Sequence, residues 1–180
     1  IIISGGTAFA INANSSFSNA FKVGDDYYVQ TESNGIHVLD LQENQLKEII
    51  SSDQIEGASI ISLYSSESSD LLFAISKSGE VFTINRKTKE LESRSIFFES
   101  GEKNLVTCSA KLDNSNLLIG TLSGALFSLE MEKGARRTNL FQGHLNEITI
   151  LNLFIDSSQN LWVLLNNGLN YIDLNSAKST

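Results

Sequence analysis

One short signature recurs along the chain at a nearly constant interval. The stretches "YVQTESNGIHVLD", "FAISKSGEVFTIN", "IGTLSGALFSLE" and "VLLNNGLNYID" align on Gly35, Gly79, Gly124 and Gly168, at intervals of 44, 45 and 44 residues. Asn34, Ser78, Ser123 and Asn167 precede those glycines, and Tyr28, Leu72, Leu117 and Leu161 stand seven places upstream. A small polar residue and a glycine between two apolar runs predict a tight hairpin, because glycine enters positive φ without a Cβ clash. The chain is therefore expected to consist of like units rather than one irregular domain.

Each unit holds more than the hairpin. Upstream lies a polar cluster, "GDD", "SSESSD", "DNSN" or "DSSQN", built of residues that turn by bonding their own backbone. Before it runs a further apolar segment: "SNAFKV", "ASIISLY", "LVTCSAKL" or "ITILNLFI". A more polar segment closes three units, as "QLKEIIS", "LESRSIFFE" and "RRTNLFQ". Four antiparallel strands in about 44 residues are the pattern of a propeller blade. "LLFAI", "LLIG" and "LWVLL" are apolar at every position, as expected of strands buried on both faces. No stretch sustains a helical period.

The expected fold class is all-β, a β-propeller fragment of about four blades with four antiparallel strands per blade. Its units cover approximately 1–17 (truncated), 18–58, 59–104, 105–147 and 148–180 (incomplete). The first is irregular: "IIISGGTAFAIN" reads as two strands around Ser4, Gly5 and Gly6, too close to Gly35 for a full set. Seven blades at this repeat length would need about 300 residues. An open arc would expose the faces of its end blades, which invites association.

Charge excludes one class of partner. A net charge of −8 and a pI near 4.7 argue against a nucleic-acid surface. The short basic runs at 86–89 and 135–137 read as solvated turns or strand edges. Cys108 has no second cysteine to pair with and reads as a small buried side chain. No apolar run reaches 18 residues, so this piece is not expected to insert into a membrane. Neither an initiator Met nor a basic leader is visible, and the chain reads as an excised or processed piece.

The last unit, "ITILNLFIDSSQNLWVLLNNGLNYIDLNS", resembles the two-component regulator propeller repeat. The residues that carry the resemblance are Asp156, Asn160-Leu161-Trp162, Gly168-Leu169 and Tyr171-Ile172-Asp173. The family's Gly-Thr step is absent there and occurs one unit earlier as Gly120-Thr121. The other units are degenerate, with Val29, Phe73 and Leu118 read in place of the tryptophan. The resemblance implies the periplasmic sensor region of a hybrid histidine kinase or of a regulator with a triple-tyrosine domain. It implies a non-catalytic piece that passes ligand or partner binding to an output domain. The partners it implies are a small molecule or oligosaccharide and an adjacent triple-tyrosine β-sandwich. A homodimer is a further expectation, from the open end blades.

No catalytic, cofactor-binding or metal-binding set is expected, and the ligand-binding residues are not legible. Trp162 could stack a sugar ring, but its inner-strand position favours core packing. Tyr27 and Tyr28, beside Asp25 and Asp26, could line a loop surface or simply flank a hairpin. "LDNSNLL" offers Asp113, Ser115 and Asn116 as calcium donors, yet Leu118 and Gly124 stand where the loop needs glycine and glutamate, so a plain turn is expected. His37 is expected to point off the packed face, and His144 stands alone, without the second ligand a metal needs. Two other readings stay open. Gly143-His144 with Ile172-Asp173 mimics the ends of a WD-repeat scaffold, and a propeller lyase or glycosidase would need acids or histidines gathered on the central face.

Overall fold

The computed structural model describes residues 2–4, 7–9, 16–33, 35–66, 69–99, 104–131, 136–139 and 148–174. They form antiparallel sheets whose strands follow one another in chain order. β1 (Ile2–Ser4) and β2 (Thr7–Phe9) make the short hairpin expected at the start, with Ile2 opposite Phe9. The first full sheet is β3 (Phe17–Val23), β4 (Asp26–Thr31), β5 (Ile36–Asp40) and β6 (Gln45–Ile50). A single 3-10 turn, Asp53–Ile55, follows. The second sheet is β7 (Ile60–Ser65), β8 (Leu71–Ser76), β9 (Glu80–Asn85) and β10 (Glu90–Ile96). The third is β11 (Val106–Lys111), β12 (Asn116–Thr121), β13 (Leu126–Glu130) and β14 (Arg136–Asn139). The fourth, of three strands, is β15 (Ile150–Ile155), β16 (Asn160–Leu165) and β17 (Gly168–Asp173).

Face-to-face stacking accounts for the doubly apolar second strands. Alternate residues of a strand point to opposite faces, so a strand between two neighbours must be apolar at both sets. From β8, Leu72 and Ala74 join the core shared with the first sheet, while Phe73 and Ile75 join the core shared with the third. From β12, Leu117 and Ile119 face back and Leu118 faces forward onto Leu161 and Val163 of β16. The Phe97, Phe98 and Phe127 rings thicken the middle seam, with centroids 4.6 to 6.4 Å apart.

Polar groups lock the seams where strands meet side by side. Gln30, fully buried, donates its Nε2 to the carbonyl of Ala58 at 2.7 Å and accepts from the amide of Ile60 at 2.9 Å. Asn19 Nδ2 donates to the carbonyl of Ile60, and Thr107 Oγ1 donates to that of Ile150. These bonds tie β3 to β7 and β11 to β15 through side chains alone. Each first strand also carries an irregularity, at Ser18, Ile61, Thr107 and Leu151.

The backbone fixes the true repeat more finely than the glycines do. Glu32, Lys77, Leu122 and Asn166 each donate an amide to the residue just ahead of their own first strand: Ser16, Ser59, Leu105 and Thr149. In this register Tyr28, not Val29, is the counterpart of Phe73, Leu118 and Trp162, which corrects the alignment on glycine. Gly79 (φ +86°) and Gly124 (φ +83°) take the left-handed turn position. Gly35 does not, because it lies one place further on, where Glu80 and Ala125 sit opposite Ser76 and Thr121. Gly168 does not either: the last hairpin has shrunk to Asn166-Asn167, and Gly168 pairs directly with Leu165.

Candidate functional site

Consecutive antiparallel strands bring two turns of the first sheet to the same end: the one joining its first and second strands and the one joining its third and fourth. In the first sheet these are Gly24-Asp25 and residues 41–44. Gly24 takes φ +60°, and Asp40 Oδ1 accepts from the amides of Gln42 and Glu43, which closes the second turn. Asn85 repeats that role in the second sheet, accepting from Lys87 and Thr88. Short, locally hydrogen-bonded turns thus give this end a defined shape.

Two hollows lie at this end. One of about 370 Å³ is lined by Asp25, Asp26, Tyr27, Leu39, Asp40 and Lys47. Lys47 Nζ lies 2.6 Å from Asp40 and 2.9 Å from Glu43. The Lys47 ammonium, helped by the amide of Glu43, holds the Asp40 carboxyl down at about 2. The second hollow, about 260 Å³, is lined by Lys22, Gly24, Leu63, Tyr64, Ser65 and Lys111, from three successive sheets. Between the two lies the first-sheet turn, where Lys22 Nζ stands 5.8 Å from the centroid of the Tyr27 ring.

Tyr64 anchors the second hollow. Its hydroxyl and that of Ser62 both reach Ser109 Oγ, at 2.7 and 2.5 Å, which joins the second and third sheets. Burial pushes the Tyr64 hydroxyl up from its ordinary value, so it stays protonated. Tyr28 behaves alike at the seam between first and second sheets: burial is the main cause, opposed by its hydrogen bond to Arg86. Arg86 also stands 3.9 Å from Asp26. Of the tyrosine pair, only Tyr27 lines a hollow and Tyr28 is core.

The remaining residues singled out by sequence do not converge. Trp162 lies on the forward face of β16, its indole Nε1 donating to Asp156 Oδ2 at 3.0 Å and its ring edge-on to Tyr171 at 5.0 Å. It is half-buried rather than core, because no further sheet covers that face among the described residues. Asp113 turns its carboxylate onto the amides of Ser115 and Asn116 and onto Asn116 Nδ2, which makes the expected turn. His37 is more enclosed than expected, its side chain 18% exposed and its Nε2 3.8 Å from Glu48, because it shares its face with buried Val29, directly across on β4, and buried Leu39, two places on in β5. Burial raises the Cys108 thiol above its usual value. His144 and Gly143 lie outside the described residues, as do the side chains at 135–137. Among the described residues no group of three His, Cys, Asp or Glu comes together in a way that could hold a metal ion. No described helix is long and apolar enough to cross a membrane.

Lys22 and Lys111 carry no sequence motif, and sequence reasoning passed over them. The signal was present in the repeat itself. Lys22, Ser65, Lys111 and Ile155 occupy one level of the four first strands, opposite Tyr27, Leu72, Leu117 and Leu161.

No protein-family model matches the chain. No curated protein matches it either. Solved structures do. The extracellular domain of hybrid two component system BT4673 from B. thetaiotaomicron superposes with a TM-score of 0.65 at 17% identity, over 93% of this chain and 22% of that one. The corresponding domain of BT3049 from the same organism gives 0.60 at 22% identity, over 85% and 19%. The WD40 β-propeller domain of Doa1 gives 0.68 at 12% identity, over 94% and 54%. The chain thus spans about a fifth of the two bacterial domains and about half of the third. Stacked sheets of consecutive antiparallel strands, shared with these structures, make this chain an all-β protein of the β-propeller fold.

Proposed function

We propose that this chain is part of the extracytoplasmic sensor of a bacterial two-component signalling protein, without catalytic activity of its own. The observation that carries the reading is the fold shared with the extracellular domains of BT4673 and BT3049 over most of the chain. The Asp156, Asn160-Leu161-Trp162 and Tyr171-Ile172-Asp173 pattern of the last unit supports it. On this reading the four stacked sheets are blades of a larger propeller lying in the periplasm, next to a triple-tyrosine β-sandwich in the parent chain. A small molecule or oligosaccharide binds at the loop end, and a ligand that prefers one blade or dimer orientation shifts that equilibrium toward an output domain.

A thermal-shift screen of the chain against a panel of mono- and oligosaccharides tests the reading, with stabilisation by one ligand class expected. Stabilisation by none of them, in a chain holding every blade, overturns direct ligand sensing. The likeness to the Doa1 propeller supports a second reading, a protein-interaction scaffold. A defined protein partner together with indifference to all small molecules would favour that one.

A further inference from the structure

We infer that Asn167 is a site of self-modification: the backbone nitrogen of Gly168 attacks its side-chain amide, and the asparagine becomes aspartate or isoaspartate. The reaction needs no partner beyond water and stands apart from the sensor reading.

The chain holds two Asn-Gly pairs, Asn34-Gly35 and Asn167-Gly168. In such a pair the glycine nitrogen closes a ring onto the asparagine side-chain carbonyl with no Cβ to crowd its approach. The step balances without an oxidant or a cofactor. A bond forms between the Gly168 nitrogen and Asn167 Cγ. The Gly168 amide proton passes through solvent to the Asn167 side-chain nitrogen, which leaves as ammonia. Water then opens the cyclic imide at either carbonyl. One opening gives aspartate, and the other reroutes the main chain through the side-chain carbonyl and gives isoaspartate. Either product adds one negative charge.

The fold separates the two pairs. Gly35 is buried, with His37 Cε1 and the Ile50 carbonyl 3.2 and 3.4 Å from where a Cβ would stand. Its own carbonyl accepts from the Thr31 amide at 3.1 Å. Asn167 and Gly168 are both exposed, and nothing lies within 4 Å of the same point at Gly168. The ring therefore has room at Gly168 and is crowded at Gly35. Asn114 is exposed as well, but the amide that follows it, that of Ser115, donates to Asp113 Oδ1 at 2.9 Å, and Ser115 carries a Cβ.

The tip around Gly168 is also lightly held. Gly168 pairs with Leu165 in the closing step of the hairpin, and that pair must part before the nitrogen attacks. At the corresponding turn of the second sheet, Phe97 donates its amide to the Gly79 carbonyl at 3.1 Å, and the Phe98 ring fills the space beside that glycine. The fourth sheet ends at β17 among the described residues, so no further strand braces Gly168 there. Parting one terminal pair at an exposed tip is among the least costly openings of a sheet.

The test incubates the full 180-residue chain at mildly alkaline pH and follows its peptides by mass spectrometry, with isoaspartate told from aspartate by fragmentation. Asn167 is expected to gain the mass of an amide-to-acid exchange several-fold faster than Asn34 or Asn114, with isoaspartate as the major product. Gly168→Ala, at a position open enough to leave the fold intact, is expected to slow the conversion about ten-fold, because a Cβ then crowds the attacking nitrogen. An unchanged rate in Gly168→Ala overturns the inference, as does aspartate formed without isoaspartate, since each excludes the imide. Asn34 or Asn114 converting as fast as Asn167 overturns the selection by the fold. Conversion of Asn167 in the urea-unfolded chain but not in the folded one overturns it too, because the hairpin would then protect the residue.

Discussion

The indole of Trp162 and the carboxylate of Asp156 close one turn of the last blade from both sides. Asp156 Oδ2 accepts from the indole Nε1 at 3.0 Å and from Asn160 Nδ2 at 3.1 Å, while Oδ1 accepts from the amides of Ser158 and Asn160 at 2.9 Å. The tryptophan and aspartate of the repeat thus form a turn clasp. In the preceding blade Leu118 replaces the indole, and Asp113 keeps the backbone half of the same arrangement.

This clasp is expected to be pH-dependent. The indole donor, first, and the Asn160 amide hold the Asp156 carboxyl at about 2, against about 3.9 in an unfolded chain. Between those values the unfolded chain binds more protons than the folded one, so stability rises with pH. The contribution is complete above about pH 5 and is lost as pH falls through 2. In urea melts followed by emission of Trp162, the sole tryptophan, wild type is expected to exceed Asp156→Asn at pH 6. The gap should close progressively by pH 2. A gap independent of pH would show that the carboxylate charge is not what holds the turn.

Gln30→Leu is expected to cost about 1–3 kcal/mol for each buried backbone group it strands. The substitution removes the side chain that reaches both the Ala58 carbonyl and the Ile60 amide, in a place where Gln30 itself is fully enclosed. Denaturant unfolding measures it. A loss under about 0.5 kcal/mol would mean that water enters the seam between the first two blades and replaces the amide.

How far the sequence reaches is seen at the four marker glycines. Spacing and turn chemistry locate the same hairpin in every unit, and they predict four sheets in chain order. They do not reveal that Gly35 lies one place beyond the turn position of Gly79 and Gly124, or that the last hairpin is shorter by a residue, because strand register is set by backbone pairing and face burial rather than by the turn residue. Tyr28 therefore takes the place read as that of Val29. The second hollow was hidden for a related reason: its lining comes together only once three sheets are stacked, and none of it lies in a local motif.

Two alanine substitutions separate these roles. At Gly79 a Cβ would strike the Phe98 ring, and the φ of +86° is strained for any side chain. Gly79→Ala is expected to cost more than about 1 kcal/mol. At Gly168 a Cβ meets nothing within 4 Å and φ is ordinary. Gly168→Ala should lie within about 0.5 kcal/mol of wild type. Equal losses at the two positions in thermal melts would restore a common role for the glycines.

The forward face of the last blade supplies the remaining prediction. Tyr28, Phe73 and Leu118 are 2%, 2% and 0% exposed, because a following blade covers each of them. The equivalent face around Trp162 instead presents Phe154 and Tyr171, 63% and 55% exposed, with Leu164 and Leu169 beside them. Contiguous apolar surface of this kind drives association. Phe154→Glu with Leu164→Lys is expected to change unfolding free energy by under about 1 kcal/mol, whereas Phe73→Ala, at a covered position, costs about 3–5 kcal/mol. In sedimentation velocity the wild-type chain should associate as concentration rises, and the double variant should remain monomeric. If the double variant instead unfolds as readily as Phe73→Ala, that face is buried within the isolated chain and does not await another blade or a second copy.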